Sequence, residues 1–217
     1  SVPFEPIQCH EFISECTFGL PVYKWEHQNE VFGKINQWWR NNAENKRNSV
    51  IFAYSLGKAQ RVLNHLDAGI EDIFVHGSIW NTNQALLANQ VKVLDAPRVT
   101  AEMPKSKFKG AIIIAPPSAM GSPWMKKFSP YRTAVCSGWM SVRGTRRRRA
   151  VDTGFVLSDH ADWEGLISAI KSSGAEKVFL THGSTAVFGR YLEEVENIHA
   201  VELKTLFQGE SSNLDED

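Results

Sequence analysis

Three side chains that could share one reaction stand at the ends of apolar runs: Glu15 in "ISECTFG", His160 in "GFVLSDHAD" and His182 in "KVFLTHG". Each run reads as a β-strand that stops at small or polar residues, and the helical stretch "WEGLISAI" separates the two histidine runs. Imidazole titrates near neutrality, so it can act as a general acid or base, and it is a common zinc ligand. A carboxylate beside it would fix its tautomer and raise its pKa, making it a better proton donor to a leaving oxygen. A single histidine at a strand end is more often an ordinary hydrogen-bonded residue, and only the three together point to a shared reaction. Asp162 directly precedes the helical stretch and reads either as a catalytic group or as a helix N-cap.

Two other stretches suit an anion. In "YSLGKAQR" Ser55 and Gly57 fall at a strand-to-helix turn, with Lys58 and Arg61 following on the helix. The turn is not a Walker A loop, and a plain connection explains it equally well. "RGTRRRRAV" holds Arg143, Arg146, Arg147, Arg148 and Arg149, five arginines in seven residues. Guanidinium forks bind phosphate oxygens bidentately, while the bland alternative is a solvated basic hairpin. Ser118 and Ser122 in "PPSAMGSP" are weaker candidates of the same kind.

The scaffold for these residues is legible in outline. The 217 residues allow one large or two modest domains with a real core. Lys+Arg and Asp+Glu are balanced at 24 each, so any polyanion contact must come from a local patch. Cys9, Cys16 and Cys136 lack CxxC spacing, which argues against a disulfide framework and a cysteine zinc site and fits a reducing, cytoplasmic setting. No apolar run reaches the roughly 18 residues of a membrane span. Apolar runs such as "SVIFAYSLG", "EDIFVHGS", "GAIIIAPPS" and "YRTAVCSGW" alternate with helical patterns such as "HQNEVFGKINQWWRNNAENKR", whose tryptophans fall on the buried face. Strands alternating with helices and ending in Gly/Ser loops predict a parallel α/β sheet with its functional loops at the strand C-termini.

"FISECTFGLPVY", "SGWMSVRGTRRRR", "FVLSDHADW" and "VFLTHG" together resemble the β-CASP nucleases of the metallo-β-lactamase fold, in particular the bacterial ligase-associated DNA exonucleases, relatives of the mRNA 3′-end processing endonuclease. The resemblance runs to about Val201. It implies a β-CASP α/β domain inserted into the C-terminal part of a metallo-β-lactamase αββα fold. Residues 1–22 would carry motif A, 23–132 the β-CASP cap, 133–207 motifs B and C, and 208–217 an acidic, disordered tail. Glu15 matches the motif A carboxylate, His160 the motif B histidine that contacts the scissile phosphate, and His182 the motif C histidine that ligates one of two zinc ions.

The family's HxHxDH metal motif is absent, and the N-terminus "SVPFEPIQ" reads as a start in mid-domain. The resemblance therefore implies a C-terminal part of a nuclease that uses two zinc or manganese ions, holding few or none itself and inactive alone. It also implies a DNA or RNA backbone as substrate, an ATP-dependent DNA ligase and a helicase as partners, and no membrane. DNA exonuclease is the leading expectation, with an RNA 3′-end processing nuclease and a non-catalytic nucleic-acid-binding module as alternatives.

Overall fold

The run "EFISEC" mixes polar and apolar residues and forms a strand that is exposed at Glu11 and buried at Cys16, β1 (Glu11–Cys16), whereas "NSVIF" is buried at every position in β2 (Asn48–Phe52). That contrast organises the whole molecule, a computed structural model that describes residues 4–142 and 151–203. In chain order the other elements are α1 (Gln28–Glu44), α2 (Lys58–Leu63), β3 (Ile73–Val75), α3 (Gly77–Ala88), β4 (Ile112–Ala115), β5 (Tyr131–Cys136), β6 (Thr153–Phe155), α4 (Trp163–Ser173), β7 (Lys177–Gly183), α5 (Thr185–Glu194) and β8 (His199–Glu202). The protein is thus α/β with parallel sheets, as the alternation of strand and helix patterns predicts. Among the described residues no helix is long and apolar enough to cross a membrane. All three cysteines are free thiols.

The chain divides into two units, residues 1–24 with 160–217, and residues 25–159. Strands β5 and β6 pair into the sheet of the second unit.

In the unit of residues 25–159 five parallel strands lie in the order β3-β4-β2-β5-β6. Both faces of this sheet are covered. Ile51, Ile112, Ile114, Val75 and Ala134 join Val31, Ile35 and Trp39 of α1 in one core, while Val50, Phe52, Ile113 and Val135 pack with Phe108 and Phe128 in the other. Strands buried on both faces read as unbroken apolar runs, which is why "VIF" and "IIIA" show no alternation. Trp39 is fully buried and donates its indole N–H to the Gly110 carbonyl at 2.8 Å, so its polar edge is satisfied inside the core. From central β2 the chain runs out to β3, returns through β4, then crosses to β5 on the other side. The C-terminal end of β2 is therefore a topological switch point, the place where open α/β sheets leave a crevice.

The other unit has three parallel strands in the order β1-β7-β8. One face packs Cys16, Val178 and Leu180 against Leu166 and Ile170 of α4 and Phe188 and Leu192 of α5. Ile13, Phe179 and Val201 stand opposite one another across all three strands on the other face, and Ile13 is 66% exposed. Asp162 caps α4 by accepting the Gly165 N–H at 2.9 Å, and Gly174 ends that helix in the left-handed region at φ 65°.

Candidate functional site

The exits of β1 and β7 are built together. Their ladder pairs Glu15 with Thr181 and then Cys16 with Gly183, so His182 is an extra residue, a β-bulge, with φ 55°. Bulges bend a strand and re-aim a side chain, and they occur often beside functional sites. Gly183 follows at φ 84°, and a Cβ there would lie 2.2 Å from the Cys16 carbonyl oxygen and 2.5 Å from Thr17 Cα. Only glycine permits two backbones to approach so closely. The Cys16 thiol donates to the His182 carbonyl at 3.0 Å, and His182 Nδ1 lies 2.9 Å from the Thr181 hydroxyl.

At this edge Glu15 and His160 meet. Glu15 Oε1 is 3.2 Å from His160 Nδ1, and Glu15 Oε2 accepts the Thr17 backbone N–H at 2.7 Å. Partial burial pushes the carboxyl's pKa up, but hydrogen bonds from His160 and Thr17 outweigh it and hold the carboxyl below its ordinary value. Glu15 is consequently an anion at neutral pH with both oxygens engaged. Phe18 sets its ring edge-on to the His160 imidazole, with centroids 5.9 Å apart. An oriented imidazole with a carboxylate on one nitrogen is a unit for moving protons through the other. Burial, with the charges of Glu15 and Glu202 added, pushes the Cys16 thiol up to about 12, so Cys16 is no nucleophile near neutrality.

Sequence reasoning placed Glu15, His160 and His182 at one edge, and the first two are in contact. Asp162 spends Oδ1 on the cap of α4. Among the described residues no group of three or more His, Cys, Asp or Glu converges to hold a metal ion. Zinc sites use three or four protein ligands, so the two-zinc centre implied by the resemblance is not formed by these residues.

The "YSLGKAQR" turn has a different character. Gly57, at φ 82° and ψ −74°, centres a γ-turn in which the Lys58 N–H bonds to the Leu56 carbonyl at 3.2 Å. Ser55 Oγ lies 3.0 Å from Ser78 Oγ, which is 2.9 Å from His76 Nδ1. Lys58 is only 4% exposed. Its ammonium is 3.1 Å from Asp159 Oδ2 and 5.0 Å from the centre of the Tyr54 ring. Arg61 donates to the Ser158 carbonyl at 2.6 Å and lies 3.4 Å from Asp159 Oδ1, so Asp159 is held by two cations of α2. Ser118 is exposed, and Ser122 Oγ donates to the Ala119 carbonyl at 2.8 Å. Arg143 and Arg146–Arg149 lie outside the described residues.

Two features carried no sequence signal of their own, the bulge at His182 and the Asp159 clamp.

No protein-family model matches the chain. It is similar to a protein named probable DNA ligase from Opitutus terrae, with 28% identity over 182 residues covering 84% of this chain. The match spans 18% of that protein's length.

Proposed function

We propose that this chain is the C-terminal part of a metallo-β-lactamase-fold nuclease with a β-CASP insertion, acting on DNA, in which His160 is the proton donor and Glu15 its orienting carboxylate. The observation that carries the reading is the 3.2 Å contact between His160 Nδ1 and a Glu15 carboxylate whose pKa is held low. With Nδ1–H directed at Glu15, proton exchange with a substrate falls to Nε2. Water forms the new P–O bond and gives up one proton to solvent, the scissile P–O bond breaks, and its electron pair goes to the leaving oxygen. That oxygen takes the Nε2 proton, and the neutral imidazole stays hydrogen-bonded to Glu15.

The sheet β1-β7-β8 supports the structural side of the proposal. Parallel sheets occur almost always with both faces covered, and the apolar row of exposed Ile13 and half-buried Phe179 and Val201 is the kind of surface a second sheet covers. Zinc or manganese is proposed for the assembled enzyme, with His182 as one ligand and the remaining donors supplied from outside the described residues. DNA is favoured by the similarity to a protein named as a DNA ligase, and a DNA ligase is the partner proposed on the same ground. The absence of a metal-holding cluster among the described residues favours a second reading, a non-catalytic nucleic-acid-binding module.

End-labelled single-stranded DNA and RNA of equal sequence, incubated with the gene product and zinc or manganese, separate these readings. DNA cleavage slowed by about 10²- to 10⁴-fold in His160→Ala supports the proposal. Preferred cleavage of RNA moves the substrate to RNA. Binding without cleavage, unchanged by His160→Ala, establishes the binding module.

A further inference from the structure

Tyr54 and Leu56 are 58% and 71% exposed, two large apolar side chains two residues apart at the C-terminal end of the central strand. Scattered exposed apolar residues are ordinary on a protein surface. These two differ in how firmly their backbone is held. The Tyr54 carbonyl accepts the Ala59 N–H at 3.0 Å, the Ser55 carbonyl accepts from the Gln60 side chain at 2.9 Å, and the γ-turn at Gly57 closes the loop between them. The Tyr54 ring also rests on a cation: the Lys58 ammonium 5.0 Å from its centre is buried and fixed by Asp159. The ring is thus oriented before any ligand arrives, with more than half of its surface in solvent at the switch point of the sheet.

We infer that Tyr54 is a stacking platform for an unpaired base of a single-stranded nucleic acid, with Leu56 flanking the base. The inference rests on the nucleic-acid reading above and adds a residue that reads the strand through its bases. Stacking on an aromatic ring is sequence-tolerant, because every base has a π-face, and a preoriented ring loses little freedom on binding. Lys58 then contributes from beneath the ring as a cation–π partner, its own charge already met by Asp159.

The test compares binding of the 217-residue chain to a twelve-nucleotide oligo(dT) and to an abasic strand of the same length and charge, with a chelator present to keep both strands intact. Oligo(dT) is expected to bind the more tightly. Tyr54→Leu should weaken oligo(dT) binding by about tenfold, leave the abasic strand where it was, and be rescued by Tyr54→Phe. Equal affinity of Tyr54→Leu and the unaltered chain for oligo(dT), or equal losses on both strands, overturns the stacking role while the nucleic-acid reading stands. If the unaltered chain binds neither strand, this inference falls, and the nucleic-acid reading falls with it only where the gene product also neither binds nor cleaves either nucleic acid.

Discussion

The two sheets are both wholly parallel, yet they bury themselves differently. In β3-β4-β2-β5-β6 every residue of β2, β3 and β4 is buried, and the polar groups that matter sit beyond the strand ends. In β1-β7-β8 one face is packed under α4 and α5, while the other carries the exposed Ile13 and the half-buried Phe179 and Val201. The first sheet is a finished core that fixes a rigid turn. The second leaves Ile13 in solvent and places the half-exposed pair of Glu15 and His160 at the strand exits. Parallel pairing therefore does not by itself say whether a sheet is complete; coverage of its faces does.

The sharpest way to break this contrast is at Gly183. Gly183→Ala would drive a methyl into the backbone of Cys16 and Thr17, and a loss of about 4 kcal/mol or more is expected in chemical denaturation of the chain. A loss below about 1 kcal/mol would mean that the β1 and β7 exits are not locked together. Next in size is Ile113→Ala in the doubly covered sheet, where deleting a fully buried side chain should cost about 2–5 kcal/mol.

A smaller effect separates the sheets by pH. Glu15 titrates below its ordinary value, so its pair with His160 adds stability that is fully present above the unfolded carboxyl pKa of about 4.3. That contribution is lost as pH falls through the lowered folded value. Glu15→Gln should flatten this part of the acid limb of a stability profile, and an unchanged acid limb would remove Glu15 as its source. Smallest of all is Ile13→Ala, expected within about 0.5 kcal/mol because the side chain already stands in solvent. A cost comparable to that of Ile113→Ala would show Ile13 to be buried in solution and the face to be covered.

Apolar runs and helical spacing made the elements readable, because they record which side of a strand or helix avoids water. That "EFISEC" mixes polar and apolar residues while "IIIA" is unbroken took its meaning, a strand partly exposed against one wholly buried, only from the structure. Glu15, His160 and His182 were found through motif and strand-end position. Lys58 reads as a surface cation, since an isolated charge avoids burial; its partner Asp159 lies far along the chain, and local sequence carries no trace of that pairing. Tyr54 looks in sequence like the last residue of an apolar strand, and its exposure follows from the γ-turn after β2. The bulge was equally silent, because a period of two residues reports inside and outside without registering one extra position.

That extra position at His182 has an evolutionary side. Elsewhere β1 and β7 form an uninterrupted parallel ladder, with Thr181 and Gly183 matched to consecutive residues of β1. A single inserted codon between those two is enough to convert an ordinary strand end into one that presents an imidazole, provided a glycine follows to let the backbones touch. In terms of register, removing that one position would leave Thr181 and Gly183 opposite Glu15 and Cys16 as an unbroken ladder with no imidazole at its end.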